Sequence, residues 1–565
     1  MDSMDKAGWI KAVAVAVALL LGAVACDDGG DAEAPADDTA SPTEAGAAEP
    51  DEPVERTPVN GGTVILGADE EPSTLNAAVE EGNTFINGYI ATAVLSPLWR
   101  ITPEHTFEPL LLEDAEVTTD PFTVTYRLKE GLQWSDGEPI TAHDVVFTHR
   151  TIMDERFDII SREGHELVRN AQAIDDRTAR FVFRRPYPAW RTMFSEPEGA
   201  ILPRHRLRGE DFNEMWREHI PVSSGPLEFD RWEPGQELIL KRNDRYWGDA
   251  PSLDEVVISF YDSLQDLLLA LREGAVDVLY PPTGFGLREQ LETMDDIEID
   301  SAGGPLWEVI DFNTAAPPLN RPYVRQAVAK AINRQRLIDE ILAEVDPDVA
   351  LLDSVLWLAE EPDYQDHWSQ QLSYDPGEAQ RLLADNDCTR VEGIWHCDDQ
   401  PLQLRFVTTA DVELRSRQFE LIRRDLAAVG IKVEEEFSAP EEIFAPEFLA
   451  SRRDWHLLSF ARRYSANPLD VQAPWRCDVA RDINNTKYCN RQVNALFDRA
   501  AAEVDDERRV DLLRRADSLI AQDVPAIPLY QRPTFLVSRG AIQGPRNNPT
   551  EWGPLWNVED WVLTQ

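Results

Sequence analysis

The sequence predicts an α/β protein built as at least two lobes, and three observations carry that expectation. Residues 221–279 hold three alternating apolar runs, then an amphipathic stretch, then a further apolar run, the order of strands around a short helix. At 565 residues the chain exceeds what a single hydrophobic core commonly serves. Hydrophobic residues make up 43% of it, enough to fill more than one core.

The central stretch opens on Ser224-Gly225-Pro226, a punctuation mark. Leu227 and Phe229, then Leu238 and Leu240, alternate with polar neighbours on either side of Glu233-Pro234-Gly235, predicting two strands joined by a tight turn. Val256, Ile258 and Phe260 repeat the alternation as a third strand. Leu264, Leu267, Leu268 and Leu271 have the spacing of a buried helix face, with Asp262 as its cap and Gly274 as its stop. Val276 and Val278 begin the next strand, so the unit is a parallel crossover of the right-handed kind.

Outward from that centre, the amino terminus reads as an export signal. Lys6 and Lys11 flank an apolar run over residues 12–24, too short to span a bilayer and suited to a signal sequence. It ends in Leu21-Gly22-Ala23-Val24-Ala25-Cys26, which resembles the bacterial lipoprotein cleavage box and would make Cys26 the lipid-carrying first residue of the mature chain. An ordinary signal peptide with an incidental cysteine is the alternative; both export the protein. Residues 27–58 shift to Asp, Glu, Ala, Pro, Ser and Thr without an apolar face, the composition of a disordered acidic tether.

Acidic residues number 103 against 54 basic, a formal charge of -49. That balance argues against a nucleic-acid partner, which calls for a basic face, and reads as a solvated surface kept soluble by like charge; a monomer is expected. Beyond Cys26 the cysteines fall into two close couples, Cys388 with Cys397 and Cys477 with Cys489. Two short-loop disulfides in an oxidising compartment suit them. Zinc is the competing reading, though the spacings are wider than CxxC knuckles and His396 is the one nearby imidazole.

Several motifs then occur in a specific order: Ser224-Gly225-Pro226, Trp232, Pro234-Gly235, Arg242-Asn243, Tyr246-Trp247, Leu253-Asp254-Glu255, Ala270-Leu271 and Gly274 with Val276-Asp277. Upstream lies YRLKEGLQWSDGEPITAHDVVF, in which residues 122–128 alternate as a strand and Thr141 and Asp144 open a helix. Downstream come Val324-Arg325-Gln326-Ala327-Val328, Tyr374-Asp375-Pro376 and Asn485-Thr486-Lys487-Tyr488. Together they resemble the extracytoplasmic solute-binding proteins of ABC importers, family 5, the oligopeptide, dipeptide and nickel-binding class, from about Gly61 to the carboxyl end.

The resemblance implies a periplasmic-binding-protein-like type II fold: two lobes with mixed sheets joined by hinge strands, plus a peripheral α+β domain. Its expected division is 1–26 signal, 27–58 tether, 59–100 first part of lobe I, 101–200 peripheral domain, 201–304 second part of lobe I, 305–525 lobe II and 526–565 the return to lobe I. It implies a lipid-anchored protein on the outer face of the cytoplasmic membrane. There it would capture oligopeptides or peptide-like solutes between the lobes and pass them to permease subunits. An anionic or non-peptide solute, such as a sugar or metal chelate, is the alternative within the class, and a ligand sensor without import is the alternative outside it.

No catalytic motif accompanies this pattern. GxSxG, HExxH and GxxxxGK are absent, and no cofactor or directly coordinated metal is expected. The ligand site is expected at Glu71, in the loop after the first strand, and at Trp307, Phe460 and Tyr464 as aromatic walls. Where the family's peptide binders carry an Asp for the ligand's amine, the loop after residues 457–460 has Arg462 and Arg463. An arginine pair there favours an anionic group, with Arg415 as a further candidate. Pairing of these arginines with the surplus carboxylates is the structural alternative, as core packing is for the aromatics and a solvated loop for Glu71.

Overall fold

The computed structural model describes residues 57–565, apart from 411, 444, 446–454 and 480–483. The signal, Cys26 and the tether up to residue 56 lie outside the described residues. The described chain begins already paired: Thr57 exchanges backbone hydrogen bonds with Gln565 at 2.9 and 3.0 Å, and Pro58–Val59 ladders with Val562–Thr564.

The central stretch folds much as its pattern dictates. Leu227–Glu233 and Glu237–Arg242 form an antiparallel hairpin turning at Gly235, whose φ of 75° suits glycine. Glu255–Phe260 lies antiparallel to the second of these and parallel to Thr63–Ala68. The helix Leu264–Glu273 buries Leu267, Leu268, Ala270 and Leu271 and stops at Gly274 in the left-handed region. Its cap is Ser263 and not Asp262, because the Ser263 hydroxyl accepts from the Asp266 N–H. Val278–Leu279 then returns parallel to Thr63–Ala68, which therefore sits between the strands of the crossover.

Among the described residues these strands belong to a ten-stranded sheet. Its order is Lys432–Ser438, Gln403–Thr409, Leu457–Arg463, Ile297–Phe312, Ala526–Arg539, Val278–Leu279, Thr63–Ala68, Glu255–Phe260, Glu237–Arg242 and Leu227–Glu233. The two long central strands, Ile297–Phe312 and Ala526–Arg539, run antiparallel and carry the ladder from one half to the other. Two hydrophobic clusters pack against the sheet, one around Leu66, Val256 and Ile258, the other around Phe312, Phe406 and Ile422 and reaching Leu267, Leu271 and Leu279 of the first half. The crossing strands are thus the connection, and the ladder through them shifts register by one residue after Glu308 and is broken in one place. Pairing stops at Gly303–Pro533 and resumes at Trp307–Gln531. Pro305 and Pro533 lack an N–H there, so neither can complete the rungs.

A separate four-stranded sheet, Leu112–Thr119, Phe122–Leu128, Thr178–Phe183 and Val168–Ala173, packs against the helix Ala142–Ile152. Thr141 and Asp144 close the helix start as a reciprocal capping box. The motif Ser224-Gly225-Pro226 proves to be scaffold. Ser224 and Gly225 donate to the carbonyl of Val94 at the end of the helix Phe85–Val94, where a Cβ on Gly225 would meet the Ala93 carbonyl at 2.5 Å. Cys388 is bonded to Cys397 and Cys477 to Cys489. Each bond closes a loop in the part of the chain that follows the first crossing strand.

Candidate functional site

A cavity of about 370 Å³ opens where the ladder between the crossing strands is broken. Pro305, Leu306, Arg532, Pro533 and Thr534 form one wall. The opposite wall is the carboxyl end of Thr63–Ala68 with the following Asp69 and Glu70, and Tyr280–Thr283 just past Val278–Leu279. Open α/β sheets bind ligands beyond the carboxyl ends of their strands, where the chain diverges and leaves a crevice. Phe85, Ile86 and Tyr89 of the helix Phe85–Val94 roof it. The Phe85 and Tyr89 rings lie near-parallel with centroids 6.3 Å apart, and Tyr280 meets Tyr89 edge-on at 5.6 Å.

The arginine pair is not in a loop, contrary to the sequence reading. The strand Leu457–Arg463 extends through both, pairing Arg462 with Trp307 and Arg463 with Leu306. Successive residues of a strand face opposite ways, so the two arginines have different fates. Arg462 shares a face with Phe460, lies 4.8 Å over its ring and 5.2 Å from Trp475, and is bonded to the fully buried Asp311. Burial raises the Asp311 carboxyl above its ordinary range, and Arg462 pulls it back down. Arg463 faces the cleft: its Nε is 3.1 Å from Glu551 and its guanidinium 5.1 Å over Phe85.

The remaining expected residues divide in the same way. Tyr464 donates its N–H to the Pro305 carbonyl at 2.7 Å and its hydroxyl to Glu361 at 3.0 Å, and meets His105 edge-on at 4.8 Å. It therefore sits at the break in the ladder. Trp307 and Phe460 are 4% and 7% exposed and belong to the core cluster, so packing accounts for them. Arg415 is buried against Thr409 and lies 3.4 Å from Glu308, which also binds Arg532. Glu71 turns away from the cavity, accepting from Trp232 Nε1 at 2.9 Å and from the Gly235 N–H at 2.8 Å. Its neighbours Asp69 and Glu70 take the place expected of it.

A feature the sequence reading missed is the set of carboxyls around Arg463. Glu196 and Glu198 lie within electrostatic reach of Arg463 and Glu551, and Asp470 of Glu163 and Glu196. Burial dominates each. It pushes Glu198 up to about 7 and Glu361 up to about 8, and raises Glu196, Asp470 and Glu551. No local signal marks these residues among 103 acids.

Comparison with known proteins follows the same outline. The model of the bacterial extracellular solute-binding proteins, family 5, matches residues 106–475. The oligopeptide-binding protein OppA of Mycobacterium tuberculosis is 28% identical over 496 residues, covering 86% of this chain and 82% of that one. Among solved structures, the periplasmic EDTA-binding protein EppA superposes with a TM-score of 0.79 at 24% identity, covering 92% of this chain and 100% of its own. AppA of Bacillus subtilis, solved with a nonapeptide, gives 0.68 at 19% identity, covering 90% and 100%. The fold is the type II binding-protein architecture of these structures.

Proposed function

This chain belongs to the bacterial extracellular solute-binding proteins, family 5, and from that premise we propose that it captures oligopeptides or peptide-like solutes for an ABC importer. The cavity at the broken ladder carries the proposal. It lies between the first half of the sheet and the crossing strands that lead to the other half, so a solute bound there bears on the connection between them and its binding energy can favour the closed arrangement. We keep the division into lobe I, peripheral domain and lobe II as part of this proposal; the two halves of the long sheet and the separate four-stranded sheet support it. The site residues we assign are Tyr464 and Arg463 from one half, and Phe85, Tyr89 and Glu551 from the other. The polypeptide binds and releases without turnover.

Export and lipidation at Cys26 would hold the monomer on the outer membrane face within reach of the permease, at the end of the acidic tether. Among the described residues no helix is long and apolar enough to cross a membrane. An anionic solute finds less support, because Arg462 is bound to Asp311 and Arg463 lies against Glu551.

Mass spectrometry of solute released by denaturing the exported protein, purified from its native host, tests the reading. Short peptides at near-stoichiometric amount are expected. A sugar or a metal chelate at that amount, with no peptide, would overturn it.

A further inference from the structure

The cleft is supplied with negative charge and aromatic surface in one corner, and the chain already places a cation there. Arg463 is held by Glu551 at 3.1 Å and by the face of Phe85 at 5.1 Å, with its side chain 47% exposed. A carboxylate beside an aromatic face is the environment that a guanidinium or ammonium seeks, through ion pairing and the ring quadrupole. Tyr89 carries that aromatic surface into the cavity, and Glu551, Glu70 and Asp69 all act on its hydroxyl. Arg532, which lines the cavity, is committed to Glu308. Glu551 Oε1 and Glu196 Oε2 are buried without a hydrogen-bond partner, although Arg463 lies within ion-pairing distance of the former.

Resting on the binding-protein reading above, we propose that this corner is the seat for a positively charged side chain of the ligand, the ammonium or guanidinium of a basic peptide, and that Arg463 occupies the seat until the ligand displaces it. Arg463 stands at the last position of its strand, so it can leave without breaking the ladder. A ligand cation that enters meets Glu551 and Phe85 in place of the arginine. Displaced, Arg463 returns to water at little cost, because it is half exposed already. An acidic side chain in the same seat would face Glu551, Glu70 and Asp69 without a free counter-charge.

The test is titration calorimetry of the full mature protein at pH 7.5 with three unblocked pentapeptides, Ala-Lys-Ala-Lys-Ala, Ala-Ala-Ala-Ala-Ala and Ala-Glu-Ala-Glu-Ala. We expect the lysine peptide to bind at least tenfold more tightly than the glutamate peptide. Glu551→Gln should shrink that ratio at least fivefold, and Arg463→Ala should tighten the lysine peptide severalfold, with thermal unfolding checked for both variants. Equal binding of the lysine and glutamate peptides, or weaker lysine-peptide binding by Arg463→Ala, overturns the cation seat while leaving peptide capture standing. If none of the peptides binds but spermidine does, the seat stands and peptide capture falls. If neither class binds, both fall.

Discussion

Charge is treated in opposite ways in two neighbouring regions of this molecule. Along the crossing strand Ile297–Phe312, buried carboxylates are matched by arginines: Asp311 by Arg462, and Glu308 by Arg415 and Arg532. Where the loops of the two halves meet, Glu196, Glu198 and Glu551 share Arg463, while Asp470 and Glu163 face each other. The first region is a framework in which each buried carboxylate has an arginine against it. The second is short of positive charge while the halves are in contact, and that shortage makes the contact sensitive to whatever cation or proton arrives. Rigidity and responsiveness here come from the same residue types in different ratios.

The largest effect should come from breaking the charge-matched region. Arg462→Ala strands Asp311 in the core and should cost about 3 kcal/mol of stability, read from urea unfolding. A loss below about 1 kcal/mol would mean that the framework does not depend on the pair.

The next effect belongs to the region with more carboxyls than arginines. Glu198 and Glu361, pushed by burial up to about 7 and about 8, hold protons below those values that they would give up in water, so burying them takes up protons. The stability this gives is complete below the ordinary carboxyl range and is lost as pH rises through about 7 for Glu198 and about 8 for Glu361. Small-angle scattering should show the ligand-free protein expanding between pH 5.5 and 9, and an unchanged radius of gyration would contradict it. Glu198→Gln should blunt that expansion, in contrast to any change at Arg462.

The region of the separate four-stranded sheet supplies an acid limb of the opposite sign. His149 and His165 meet at 3.0 Å through their Nδ1 atoms, and burial lowers them to about 4 and about 3. Their neutral pairing contributes fully above the ordinary imidazole value and is lost as pH falls from there through 4. Thermal melts between pH 7 and 4 should show it, and His149→Phe should flatten the fall. The smallest effect is expected at Glu71→Ala, which releases Trp232 and the Gly235 N–H and should cost about 1 kcal/mol or less in chemical unfolding, leaving peptide affinity within twofold.

Much of the framework was legible in the sequence, because local pattern dictates it. Phe122–Leu128 alternates and pairs as a strand, and Thr141 with Asp144 caps its helix as their spacing predicts. The site was less legible. Arg462 and Arg463 follow the apolar run directly and read as a loop, yet the partner strand Ile297–Phe312 extends the ladder over both, which a single-strand pattern cannot reveal. Glu71 drew attention through its place in the loop after the first strand, while hydrogen bonds from a hairpin more than 150 residues later decide that it turns away. The carboxyl set is assembled from residues 163 to 551, and only the fold gives those acids a shared burial.

The most direct measurement of the central claim counts protons. Calorimetric titration with the alanine pentapeptide at pH 7.5, repeated in buffers of differing ionisation enthalpy, reports how many are taken up as the cleft closes. Uptake of about one proton or more is predicted, shrinking when the lysine peptide brings its own charge. No uptake with either peptide would show that the meeting loops are not short of positive charge.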